Sequence, residues 1–158
     1  MLRISKLADY GTVVMVKIAA APFRLHTAAE VADEIGVPLP TVAKLLKGLT
    51  RHGLVASKRG ALGGYRLARP PEEISIGHVI TALEGPVAVT ACSDGEGCCD
   101  HEATCATRAP WMRVNEIVQE ALEEVTLADM VAASPLHDAT QPIKLHTTAA
   151  PATSGSQP

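Results

Sequence analysis

All four cysteines of this 158-residue chain lie between Cys92 and Cys105, within the run ACSDGEGCCDHEATCATR and beside Asp94, Glu96, Asp100, His101 and Glu102. Thiols this dense, among acidic and glycine residues, mark a loop, so the fold must be built by the chain on either side. With no secretion signal, a metal centre is favoured over disulfides, which a reducing cytosol disfavours. The possible spacings are Cys92-x6-Cys99-x5-Cys105 and Cys92-x5-Cys98-x6-Cys105. Both lack the short gaps of paired zinc ligands and the tight spacing of ferredoxin loops. Three cysteines on a glycine-bearing backbone can still converge. The segment therefore reads as a metal or iron–sulfur site whose metal the spacing leaves open; the plainer alternative is an acidic loop with incidental thiols.

The flanking chain has the composition of a helical protein. Hydrophobic residues make up 47%, but only Tyr10, Phe23, Tyr65 and Trp111 are aromatic, so the core must be aliphatic and alanine-rich. The length suits one small domain with a helical appendage. No apolar run approaches the roughly 18 residues that span a bilayer. The opening MLRISKLADYG carries Asp9 and no small-residue cleavage site, so it is expected to belong to the mature protein, and the chain to be cytoplasmic with no membrane partner. The net charge of −3 is unevenly spread: residues 1–71 hold eleven Lys and Arg against four Asp and Glu, and the remainder three against thirteen. A front half at +7 is the footprint of a polyanion partner, which a back half at −10 would repel.

Read in order, Ile4 to about Ala21 predicts a helix capped by Ser5 and stopped by Pro22. Thr27 with Glu30 has capping-box spacing and opens a short helix that Gly36 ends. A third helix follows the turn Val37-Pro38-Leu39-Pro40 and runs to about His52. It buries Val42, Leu45, Leu46 and Leu49 and turns Thr41, Lys44, Lys47 and Arg51 outward. Two helices joined by a tight glycine turn form a helix-turn-helix pattern whose second helix enters a major groove. Strands at 54–57 and 65–68, joined by the basic, glycine-rich stretch 58–64, make a wing with Arg59 placed for a minor groove or phosphate. For the helix alone, a solvated charged face is the plainer reading. The wing and the basic front half shift the balance to double-stranded DNA.

The expected fold class is mainly α with a small β-wing: a winged helix-turn-helix domain at 1–71, a linking helix within 72–91 capped by Ser75, and the cysteine loop at 92–109. A dimerisation helix at 110–131 follows, then a disordered tail at 132–158 that holds His137 and His146. Pro110 suits a first helical position, and Trp111, Val114, Ile117, Val118, Ala121, Leu122 and Val125 recur helically to about Met130, over ~30 Å. That stripe exceeds what a small domain needs for itself, so it is assigned to a homodimer contact; folding back on its own domain is the alternative.

The order of these parts resembles the Rrf-type winged-helix regulators that include IscR- and NsrR-like members. The resemblance rests on LRISKLADYG, LPTVAKLLKGLTRHGLV, RGALGGYRLAR and ISIGHVITALEG, and covers Met1 to about Val131. The opening with CCDHEATCATR, Trp111 and ALEEVTLADM looks most like regulators of the SUF iron–sulfur assembly operon. The resemblance implies a homodimeric repressor in which three cysteines of each subunit hold a [2Fe-2S] or [4Fe-4S] cluster. Cys92, Cys99 and Cys105 are the first choice, with Cys98 as substitute for Cys99. IscR-like members place a histidine three residues after the last cysteine, where this chain has Arg108, which offers no lone pair. NsrR-like members bring an aspartate from the partner's N-terminal region, and Asp9 stands there; it could instead complement the positive end of the first helix. His101 and the spare cysteine remain as further donors.

Three rivals share these residues. The thiols could bind zinc or form a redox disulfide in a regulator of the same fold, or the signal could be nitric oxide. A thiol oxidoreductase using Cys98 or Cys99 with His101 is disfavoured, because acidic neighbours raise a thiol's pKa. The chain carries no other catalytic constellation, and the expectation is that it is not an enzyme.

Overall fold

A computed structural model describes residues 4–94, 99–100 and 104–134. Of the disordered tail expected over 132–158, residues 132 and 133 are instead the end of a helix, and residues 135–158 lie outside the described residues, as do Cys98 and His101. Among these residues six α-helices and one two-stranded sheet are arranged as α1 (Lys6–Ala19), α2 (Ala28–Ile35), α3 (Leu39–Arg51), β1 (Val55–Lys58), β2 (Gly64–Leu67), α4 (Ile76–Glu84), α5 (Arg108–Glu124) and α6 (Leu127–Ala133).

The local signals act at the backbone. The Ser5 hydroxyl accepts from the N–H of Leu7 and Ala8 and donates to the Glu84 carboxylate, tying the start of α1 to the end of α4. Thr27 and Glu30 close a capping box on α2, and Gly36 ends that helix at φ 68°, a left-handed conformation that side chains with a Cβ resist. α1 ends at Ala19, before Pro22. Ser75 caps α4, and its box is completed by His78, whose Nδ1 accepts from the Ser75 N–H at 3.1 Å.

α1 is the central element. Val14, Met15 and Ile18 are fully buried and form one core with Ile35, Leu45, Leu46, Leu49 and Val79. A Cβ on Gly11 would lie 2.1 Å from Leu83 Cδ1, and one on Gly48 3.3 Å from Leu83 Cδ2. The side chain of Leu83 on α4 thus fits between α1 and the recognition helix α3.

The wing pairs Val55 with Leu67 and Lys58 with Gly64, one residue later on β1 and one earlier on β2 than the sequence predicts. The hairpin closes by a bond from Gly63 N–H to the Gly60 carbonyl at 2.9 Å. His26 extends the sheet: it exchanges both backbone hydrogen bonds with Tyr65 at 2.8 Å, and its buried ring sets Nε2 3.1 Å from the Ala21 carbonyl oxygen. Burial depresses the His26 pKa, so the ring is held neutral.

The single helix expected from Pro110 to Met130 is two helices. α5 begins at Arg108, two residues before Pro110, and stops at Glu124 after about 25 Å. Val125 turns extended, its carbonyl accepts from Ile76 N–H at 2.9 Å, and Leu127 N–H donates to the Ile74 carbonyl at 2.8 Å. Thr126 then caps α6 with Asp129 in a reciprocal box, and the Thr126 hydroxyl holds the Asp129 carboxyl below the usual aspartate range. The break carries Leu127 into the core at 0% exposure, which a continuous helix could not do.

A Cβ on Gly64 would lie 2.8 Å from the His26 carbonyl oxygen, a backbone atom that cannot swing aside. Gly64→Ala should therefore destabilise the domain by about 1–3 kcal/mol, read as a lower urea midpoint at unchanged slope.

Candidate functional site

The exposed face of α3 is set by its buried one. Val42, Leu45, Leu46 and Leu49 occupy one side at 0% exposure, so Lys44, Lys47 and Arg51, about half a turn away, stand fully outward. Thr41 differs: it is half-buried, on the flank that it shares with Gly48. Lys44, Lys47, Arg51 and His52 line a groove whose other wall is Thr81 and Leu83 of α4.

The front half's charge is sorted by pairing. Glu34 takes Lys17 at 2.9 Å and Glu30 takes Arg24, both away from this face. Among the described residues no carboxylate pairs with Lys44, Lys47, Arg51, Lys58 or Arg59, so none of these charges is neutralised by an ion pair. Arg59 is exposed where β1 leads into the wing tip. A helix face and a hairpin tip, both cationic, match the two contacts of a winged helix with a duplex.

The cysteine segment lies between α4 and α5. Cys92 sits in a 3-10 turn, Ala91–Ser93, with Sγ 3.1 Å from Thr90 Oγ1. Cys105 precedes α5, with Sγ 3.3 Å from Thr107 Oγ1. Hydrogen bonds from the Thr107 hydroxyl and backbone, then from the Arg108 backbone, pull the Cys105 thiol pKa down toward the thiolate that ligates metals. Cys92, Cys99 and Cys105 are half-buried thiols outside any disulfide. As a donor set they fit a thiolate-ligated centre, yet no three described His, Cys, Asp or Glu side chains are gathered to hold a metal ion. Asp9 is exposed in the first turn of α1, where it complements the helix's positive end.

Two residues that hold this segment escaped the sequence reading. Asn115 Oδ1 accepts from Val89 N–H and Gln119 Nε2 donates to the Val87 carbonyl, each at 2.9 Å. Asn115 is the one buried residue of α5. The apolar stripe assigned to a homodimer contact divides: Trp111, Val114, Ile117 and Val125 are 40–49% exposed, whereas Val118 and Leu122 are half-buried and Leu122 packs against the core. Polar residues 115 and 119, one turn apart, were the available signal, readable only once the 86–90 segment is known to lie beside them.

Comparison with known proteins agrees with this arrangement. The family model described as Rrf2, iron-dependent transcriptional regulator, matches residues 4–133. The HTH-type transcriptional regulator IscR of Sodalis glossinidius is 33% identical over 136 residues, 82% of this chain and 79% of that protein. Two solved structures superpose closely. CymR (YrzC), the global cysteine regulator of B. subtilis, has a TM-score of 0.69 at 30% identity over 85% of this chain and 99% of its own. T. potens IscR has 0.67 at 29% identity over 90% and 94%. Among the described residues no helix is long and apolar enough to cross a membrane.

Arg59→Ala should weaken duplex binding and reduce the slope of log affinity against log salt by about one, the signature of one lost phosphate-region contact. A titration across salt concentrations reads both, and an unchanged slope removes Arg59 from the interface.

Proposed function

This chain belongs to the Rrf2 family of winged-helix transcriptional regulators, and we propose that it is a homodimeric repressor of iron–sulfur assembly genes of the SUF type that senses through a bound iron–sulfur cluster. The observation that carries the reading is the position of the thiols. They lie on the one segment that joins α4, which packs on the recognition helix through Leu83, to α5, which bears the exposed apolar stripe.

Cys92, Cys99 and Cys105 would hold the cluster, with Cys98 in reserve and Asp9 of the partner subunit as the weak fourth donor. The bound cluster supplies an iron- and oxidant-sensitive cross-link among these thiols. The chain's own residues do the rest. Thr90 and Thr107 orient the terminal thiols, and Asn115 and Gln119 fix residues 86–90 against α5. Glu84 and Leu83 carry any shift of that segment to α1 and α3. Lys44, Lys47 and Arg51 would then meet the operator at a changed spacing, with Thr41 beside the groove and Arg59 on the wing. If the two states differ ten- to a hundredfold in operator affinity, the preference needed is about 1.4–2.8 kcal/mol.

The dimer reading is supported by the open stripe on α5. Covering its half-exposed Trp111, Val114, Ile117 and Val125 against a twin would contribute about 3–6 kcal/mol per subunit. A second reading is favoured by the likeness to the cysteine regulator CymR and by the lowered Cys105 pKa: a regulator of the same fold that responds through thiol oxidation, or through zinc.

Anaerobic purification should yield a brown protein with iron and sulfide. Cys92→Ser, Cys99→Ser and Cys105→Ser should each bleach it and change operator affinity at least tenfold, while Cys98→Ser stays coloured. A colourless protein whose DNA binding responds to peroxide would instead establish the thiol reading. Ile117→Glu, which puts a charge in the middle of the open stripe, should convert the dimer to a monomer in sedimentation; a dimer that persists would place the contact elsewhere.

A further inference from the structure

The outward face of α3 changes character along its length. Its C-terminal two-thirds presents Lys44, Lys47 and Arg51, whereas its N-terminal part presents Pro40 and Ala43, both exposed, with Leu39, 47% exposed, on the flank beside Ala43. The only hydrogen-bonding side chain among residues 39–43, Thr41, is half-buried and roughly a quarter turn from Pro40. The backbone adds little: Pro40 has no N–H, and the N–H groups of Thr41 and Val42 donate to the Pro38 carbonyl at 2.9 and 3.1 Å. No side chain caps this end.

The N-terminal end of a recognition helix is the part that reaches base edges. A polar end reads donors and acceptors; an apolar end can read only the apolar feature of the major groove, the thymine C5-methyl. The cations that follow on the same face supply complementary charge for the phosphates on either side and fix which end of α3 enters the groove.

We propose that Leu39, Pro40 and Ala43 are specificity-determining residues that recognise thymine methyl groups, so that the operator half-site under the first turn of α3 is built of A·T pairs. The inference rests on the DNA-binding reading given above and adds the chemistry of what is read. Lys44, at the boundary of the two zones, is the one long donor positioned to reach a neighbouring guanine. The selected half-site is thus A·T pairs with at most one adjoining G·C pair on the Lys44 side.

The test begins with selection of tight-binding duplexes from a random library by the full-length protein. Thymines in the half-site are then replaced one at a time by deoxyuridine, which keeps base pairing and removes only the methyl. Each substitution under the first turn of α3 should weaken binding about two- to fourfold, the worth of one buried methyl. Leu39→Ala and Ala43→Ser should each abolish the sensitivity at one position while leaving the salt slope unchanged. A half-site of G·C pairs in that footprint, or affinity indifferent to deoxyuridine, would overturn the proposal while leaving the regulator reading intact. Failure to enrich any duplex would overturn both.

Discussion

The exchange of backbone hydrogen bonds between Ile74–Ile76 and Val125–Leu127 closes a loop of nearly fifty residues. Everything from α4 through the cysteine segment to the end of α5 is an excursion whose two ends are clamped side by side on the winged domain. Ile74 and Leu127 are at 0% exposure, so the hydrogen bond between them is shielded from competing water. Gly77, just past it, lets α5 approach: a Cβ there would lie 3.3 Å from Glu123 Cγ and 3.5 Å from the Leu122 backbone.

Because the ends are fixed, a change in the thiol-bearing middle has few ways to relax. It can act on α5, which it adjoins through Cys105, or on residues 86–90, which Asn115 and Gln119 grip, and both lead back to α4. Leu83 then lies against α1 and α3 together, where the missing side chains of Gly11 and Gly48 leave it room. Close-packed aliphatic contacts pass displacement on rather than absorbing it. α5 meets the rest of the chain through Asn115 and Gln119 and through Leu122, which packs against the core, while Trp111, Val114 and Ile117 remain exposed.

Much of this was legible in order along the chain. Ser5, Thr27 with Glu30, Gly36 and Ser75 each act over three or four residues, and each does locally what its residue type requires. The winged architecture followed because periodicity, turn chemistry and charge agreed. The wing's strands were shifted by a residue because Gly64 joins β2 only through the close approach of His26, 38 positions earlier in the chain. The break after Glu124 was overlooked although Thr126 and Asp129 carry a capping-box spacing, since the apolar repeat runs through it and local pattern alone cannot say which signal wins.

What the amino-acid order determined by itself was settled within a turn of helix: the caps of α1, α2 and α4, which face of α3 is cationic, and that the thiols share one segment. Only the tertiary structure decided that Leu127 must enter the core and so end α5, that Asn115 is the buried polar contact of that helix, and that a buried neutral His26 braces the wing. Those outcomes depend on contacts between residues tens of positions apart. Their energy is gained only when the chain closes on itself, and no local propensity encodes it.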